Sequence, residues 1–249
     1  MQKVVLLAAG MILWMAFPSL VTGTIIPHAE LEKKFDSNYS GISSYSLVIV
    51  FEETDLSLRI WQQAEFWRQE WISGAGSDER IAAVAVGRGS SAVLSIGMDR
   101  AGPPVSQILF RDMDWWINAG LVSELQSYHF FYGRPALVSG MAVSTDPKPH
   151  LWMDNEEMVP LRMVFSSNGN ILDLGWLEHR NVGNFKLPQK VIISNGYQEI
   201  ICSMEWRDIN STYDDDLFSA HVLEESFSGF SLEPHDLIRE YYRFLDVIY

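Results

Sequence analysis

Cysteine is almost absent. Cys202 is the one thiol in 249 residues, so no intramolecular disulfide can form. Its neighbours Ile200, Ile201 and Met204 suit a buried small apolar residue better than a reactive thiol. Cations are scarce as well: 18 Lys and Arg stand against 32 Asp and Glu, for a formal net charge of −14. Such a surface repels phosphate backbones and anionic bilayers, which argues against nucleic acid as a partner and against electrostatic membrane docking. Metal-ligand spacing is also missing. His28, His129, His150, His179, His221 and His235 show no HxH, HxxxH or HExxH pattern, and no second thiol exists to complete a tetrahedral site. Asp214-Asp215-Asp216 lacks the alternating oxygens and glycine of a calcium loop. No GxSxG, P-loop or GxGxxG occurs beyond the leader, so neither a metal nor a nucleotide cofactor is expected.

Long apolar runs are limited to the first residues. Lys3 is followed by the uncharged stretch Val4 to Phe17, then Pro18, with small or neutral Val21 and Gly23 flanking Thr22. This pattern is that of a secretory signal peptide, because a spanning helix needs roughly 20 apolar residues. No cysteine follows the run, which excludes the bacterial lipoprotein modification. The expectation is a leader over residues 1–23 and a single exported, soluble domain over 24–249.

Aromatics are abundant, with nine Trp and 13 Phe. They fall in segments of strand character. Tyr45 to Phe51, Leu56 to Gln62 and Glu65 to Ile72 alternate with period two, as do Ile81 to Val86 and Ala92 to Met98. Pro103-Pro104 then opens a stretch with Val105, Ile108, Leu109, Asp112 and Trp116 on one helical stripe, ended by Gly120. Tyr128 to Tyr132, Ala136 to Val143, Leu151 to Asp154, Val159 to Ser166, Ile171 to Leu177, Val191 to Ser194 and Tyr197 to Arg207 resume the strand pattern. Asn168-Gly169 and Asn195-Gly196 are type I′ hairpin signals. Leu161, Met163 and Phe165 should share one face of their strand, with Arg162 on the other. Short helices are expected at Ala29 to Phe35 and Leu237 to Val247, and a loop over Asn181 to Leu187. Roughly nine to eleven strands at meander spacing, without βαβ alternation, predict a mainly β, antiparallel, half-open barrel with helices over its concave side.

Paired carboxylates at Glu52-Glu53 and Glu156-Glu157 leave glycan hydrolysis open, with tryptophans as sugar platforms. Both pairs fall in turns, and adjacent strand residues point apart. A non-catalytic glycan binder and a partner-binding envelope-stress sensor also remain.

The stretch from Trp152 to Phe165 (WMDNEEMVPLRMVF) combines W-x-D, an acidic turn, P-L-R and an apolar strand. It resembles the LolA/LolB-like superfamily of periplasmic outer-membrane lipoprotein carriers. Leu187 to Ile193 (LPQKVII) and Asp215-Asp216-Leu217-Phe218 are similar to that family's later segments, so the resemblance spans mainly Phe130 to Phe218. It implies a non-enzymatic carrier whose apolar cavity shields acyl chains in the periplasm, with membrane-bound donor and acceptor proteins as partners. Each methylene removed from water contributes roughly 0.8 kcal/mol, so acyl chains need such shelter. The inward face expected to hold the chains comprises Ile49, Phe51, Trp67, Trp71, Leu161, Met163 and Phe165. The Pro104 to Ala119 segment, with Ile108, Leu109 and Trp116, is the expected lid. The family's cavity arginine falls on no one position; Arg59 and Arg68 both compete for it.

Overall fold

The computed structural model describes residues 26–140, 149–167, 169–228, 232 and 235–248. The expected leader, residues 141–143 of one predicted strand and Asn168 of one predicted turn lie outside the described residues.

Helix α1 (His28–Ser37) leads into a meander of β1 (Ser44–Phe51), β2 (Leu56–Gln63), β3 (Phe66–Ser73), β4 (Arg80–Arg88) and β5 (Ser91–Ile96). The chain then crosses over through residues 97–125, which hold a 3-10 turn (Val105–Phe110) and α2 (Met113–Asn118). It returns as β6 (Gln126–Phe131), β7 (Arg134–Gly140), β8 (His150–Asp154), β9 (Pro160–Ser167) and β10 (Asn170–Leu177). A small hairpin, β11 (Arg180–Val182) and β12 (Phe185–Leu187), precedes β13 (Lys190–Ser194) and β14 (Glu199–Arg207). Helices α3 (Ala220–Ser226) and α4 (Asp236–Leu245) follow.

The result is one 12-stranded antiparallel sheet in the order β5-β4-β3-β2-β1-β14-β13-β10-β9-β8-β7-β6. It is curled but open. The pairing of β14 with β1, with Ile49 opposite Met204 and Phe51 opposite Cys202, joins the two meanders in the middle. Strands β5 and β6 are left as the free edges, and the crossover spans between them. The strands outnumber the expectation partly because residues 181–187, read as a loop, supply part of the β11–β12 hairpin.

Alternation builds the inner face. Tyr45, Leu47, Ile49 and Phe51 of β1 and Leu56, Leu58 and Ile60 of β2 are buried on it. Cys202 is buried there too, and burial pushes its thiol well above the usual range. This face forms one continuous cluster with Leu31 and Phe35 of α1, Val105, Ile108, Leu109 and Trp116 of the crossover, and Ile238, Tyr241 and Phe244 of α4.

Two expectations are corrected here. The single helix expected across Pro104 to Ala119 is broken at Arg111, which is extended (φ −74°, ψ 133°). Asp112 is the cause: its carboxylate accepts the Trp115 N–H at 2.8 Å and restarts the chain as the N-cap of α2. Leu161 does not share a cluster with Met163 and Phe165. A bulge in the β8–β9 pairing between Trp152 and Met153 shifts the register, and Leu161 packs with Ala136, Val138 and Trp152 in a separate cluster.

Candidate functional site

The inner face is an apolar surface covered by the protein's own helices. Phe51 stacks on Trp71 at 5.1 Å, and Tyr241 of α4 meets both rings edge-on at 5.8 and 5.2 Å. Across the sheet, Trp116 of α2 stacks on Phe165 at 4.5 Å. The aromatics that sequence reasoning assigned to an acyl cavity and to its lid therefore touch one another. Ile49, Phe51, Trp71, Met163 and Phe165 share the continuous cluster with Ile108, Leu109 and Trp116. Trp67 is buried but stands outside that cluster. Its Nε1 donates to the Gly89 carbonyl at 3.0 Å, and its ring lies where a Cβ on Gly87 would sit, 2.0 Å away. Only glycine at 87 leaves the indole room.

A line of buried polar groups latches the coverings to the strands. The Gln69 amide donates to the Gly102 carbonyl at 2.6 Å and accepts from the Tyr242 hydroxyl at 3.0 Å, tying β3 to the crossover and to α4 together. Trp71 Nε1 donates to the same hydroxyl at 3.3 Å. Gln107 donates to Gln62 at 2.8 Å, and the Tyr45 and Ser106 hydroxyls bond at 2.9 Å. The Val105 N–H donates to the Tyr241 hydroxyl at 3.4 Å. Burial drives the Tyr242 phenol well above its ordinary value, so it stays a neutral donor. The seat of α2 is different. Trp116 Nε1 is buried without a hydrogen-bond partner among the described residues, a cost of about 1–3 kcal/mol. Its polar tie is the Met113 N–H, which donates to Asp36 of α1 at 3.0 Å. Burial raises the Asp36 carboxyl above the usual range, and repulsion from Asp112, Glu32 and Asp114 adds to this.

The carrier-like motif proves to be architecture. Asp154 accepts the N–H groups of Glu156 and Glu157 at 3.0 and 2.9 Å and the Arg134 guanidinium at 2.6 Å, shaping the β8–β9 turn. Met158 closes that turn at φ +56°. Arg162 chelates Asp173 through two bonds of 2.9 and 2.5 Å and lies over the Trp152 ring. Pro188 positions its carbonyl to accept Trp206 Nε1 at 2.7 Å. Leu217 offers its carbonyl to Arg68 at 3.1 Å. Nearby, Glu157 pairs with Lys186 and Glu52 with Lys190, so these carboxylates serve in ion pairs.

Both arginines weighed for the cavity are held in ion pairs. Arg59 pairs with Glu79 at 2.6 Å and Arg68 with Glu70 at 2.5 Å. Sequence reasoning missed three contributors: the Gln62–Gln69 latch, the plugging aromatics of α4, and Arg111, which lines clefts of about 350 and 290 Å³ beside the crossover. The strict alternation of Gln62 with Ile60 and of Gln69 with Trp67 and Trp71 was the available signal for the latch.

The covering is incomplete at the free β6 edge. Tyr128 lies opposite Leu137, so Tyr128 and Phe130 have the parity of the inner face, yet they are 43% and 75% exposed. Ile117, Val122, Leu125 and Tyr132 of the same segment are exposed as well. Glu124 is the one formal charge between residues 117 and 133, in a chain otherwise strongly acidic.

No protein-family model and no curated protein matches the chain. Solved structures are similar to it, among them three that cover 79% of the chain. A LolA-superfamily protein of Nitrosomonas europaea shows 13% identity and a TM-score of 0.48, with 99% of that chain covered. A putative outer-membrane lipoprotein-sorting domain of Vibrio parahaemolyticus shows 12% identity and 0.46, with 97% covered. A DUF1329-family protein of Desulfovibrio piger shows 11% identity and 0.49, with 97% covered.

Proposed function

We propose that this protein is a non-enzymatic periplasmic carrier that shelters the acyl chains of a lipid or lipoprotein on its way toward the outer membrane. The observation that carries the reading is the continuous apolar inner face covered by three helical elements and fastened by a short row of buried hydrogen bonds. A face of this kind exchanges one apolar covering for another at small net cost, because an acyl chain replaces the helix side chains that leave. The crossover and α4 act as the displaceable covers, and the exposed aromatics of β6 mark the mouth. The motif resemblance between Trp152 and Phe218 supports the same reading. Donor and acceptor proteins in the two membranes would load and unload it.

A partner-binding domain is the second reading, supported by the exposed apolar segment 117–132. Native mass spectrometry with lipid extraction, on protein recovered from the periplasm, separates the two. Acyl lipid bound at defined stoichiometry supports the carrier. A clean protein mass that takes up no added fatty acid contradicts it and leaves the partner-binding reading.

A further inference from the structure

Among the described residues, no carboxylate pairs with the Arg111 guanidinium. Arg59, Arg68, Arg88, Arg134 and Arg162 each pair with an acid within 2.6 Å. Among the described residues, Arg111 has a 3.5 Å contact from Nη2 to Gln107 Oε1 and lies over the Trp115 ring at 5.5 Å. Its Nε is buried without a partner. Arg111 is half-buried, and a guanidinium partly withdrawn from water gains from an anion or a set of acceptors, where this one has one long contact.

We propose that Arg111 is an anion subsite for the headgroup of a single-chain amphiphile, a carboxylate or a phosphate monoester. The proposal rests on the carrier reading and adds the head-end chemistry of its cargo. The 350 Å³ cleft fits this use. Its polar lining is formed by Arg111 with Gln107 and Gln62, both more than nine-tenths buried, and its apolar lining by Ile42, Tyr45 and Phe110. Phe110 packs against Tyr45 at 5.2 Å and Trp206 at 6.0 Å, so this wall is continuous with the inner face where the tail would run. The acid in this cleft, Glu65, is neutralised by Arg88 at 2.5 Å. The neighbouring 290 Å³ cleft carries Asp36 and Asp112 and repels an anion. Arg111 also sits in the extended link between the 3-10 turn and α2, so a headgroup held there bears directly on the crossover.

The test compares dodecanol, dodecyl phosphate and inorganic phosphate on the wild-type protein, Arg111→Gln and Arg111→Lys, each checked for folding by thermal melt. The expected result is that the wild type binds dodecyl phosphate about tenfold tighter than dodecanol. Arg111→Gln should bind both equally, Arg111→Lys should keep part of the preference, and inorganic phosphate should displace neither alkyl ligand. Equal wild-type affinity for the two alkyl ligands overturns the subsite and leaves the carrier standing, as does a preference that survives in Arg111→Gln. Inorganic phosphate binding as tightly as dodecyl phosphate also overturns it, since the site would then serve a free anion. Failure of the wild type to bind either alkyl ligand overturns the carrier reading and the subsite with it.

Discussion

Gln69→Met removes a side chain that fastens both covers to the sheet while keeping its length. Two buried bonds are lost, to Gly102 at 2.6 Å and from Tyr242 at 3.0 Å. Gln69 and Tyr242 are fully or nearly fully buried, whereas Gly102 is half-buried and its carbonyl can turn to water. Tyr242 keeps the bond from Trp71 but loses the acceptor for its own proton. With about 1–3 kcal/mol for the Tyr242 hydroxyl left unsatisfied, the closed arrangement should lose roughly that amount. If these helices are lids, the open form loses nothing. A shift of about 2 kcal/mol then raises the fraction open, and with it the apparent affinity for an alkyl probe, by roughly 30-fold until opening saturates. The assay is a titration with a fluorescent fatty acid beside thermal melts with and without ligand. The free variant should melt lower and bind tighter, and its ligand-bound melting temperature should approach that of the wild type. A lower melting temperature with unchanged or weaker binding would refute the reasoning and make α4 and the crossover permanent core.

Other outcomes follow from particular contacts. Phe130→Ser with Leu125→Ser, both at exposed positions, should change stability by no more than about 0.5 kcal/mol each, yet slow probe uptake in stopped-flow mixing if β6 is the mouth. Arg162→Lys should cost about 1 kcal/mol in urea melts, because an ammonium cannot chelate Asp173 and stack on Trp152 together. Burial, with repulsion from Arg134 and Lys186, lowers His179 from 6.5 to about 4. The unfolded chain therefore takes up this proton first. Stability is complete above pH 6.5 and falls as the pH drops toward 4, by at most about 3 kcal/mol. His179→Gln should flatten that part of the pH–stability curve.

Much of the inner face was legible in the sequence because alternation alone decides which residues face a sheet's core. That held for Ile49 and Phe51, for Leu56 to Ile60, and for Met163 with Phe165. It failed at Leu161, the extra residue of a bulge in β9 opposite Trp152 and Met153, where the simple alternation breaks. The crossover read as one helix because its apolar spacing is helical throughout, but the capping side chain of Asp112 outweighs spacing. Helix α4 was visible as a helix, whereas its role as a plug depends on which aromatics it meets far away in sequence. Arg111 was invisible for a different reason: what distinguishes it is a buried Nε without a partner among the described residues, and only packing reveals that.

Photo-crosslinking with a diazirine-bearing fatty acid tests the sheltered inner face most directly. The account expects labels on peptides of β1, β3 and β9, at or beside Phe51, Trp71, Met163 and Phe165, and weaker labelling when unlabelled fatty acid competes. Labels confined to exposed residues such as Phe130 and Tyr197, or labelling that competitor does not reduce, would contradict it.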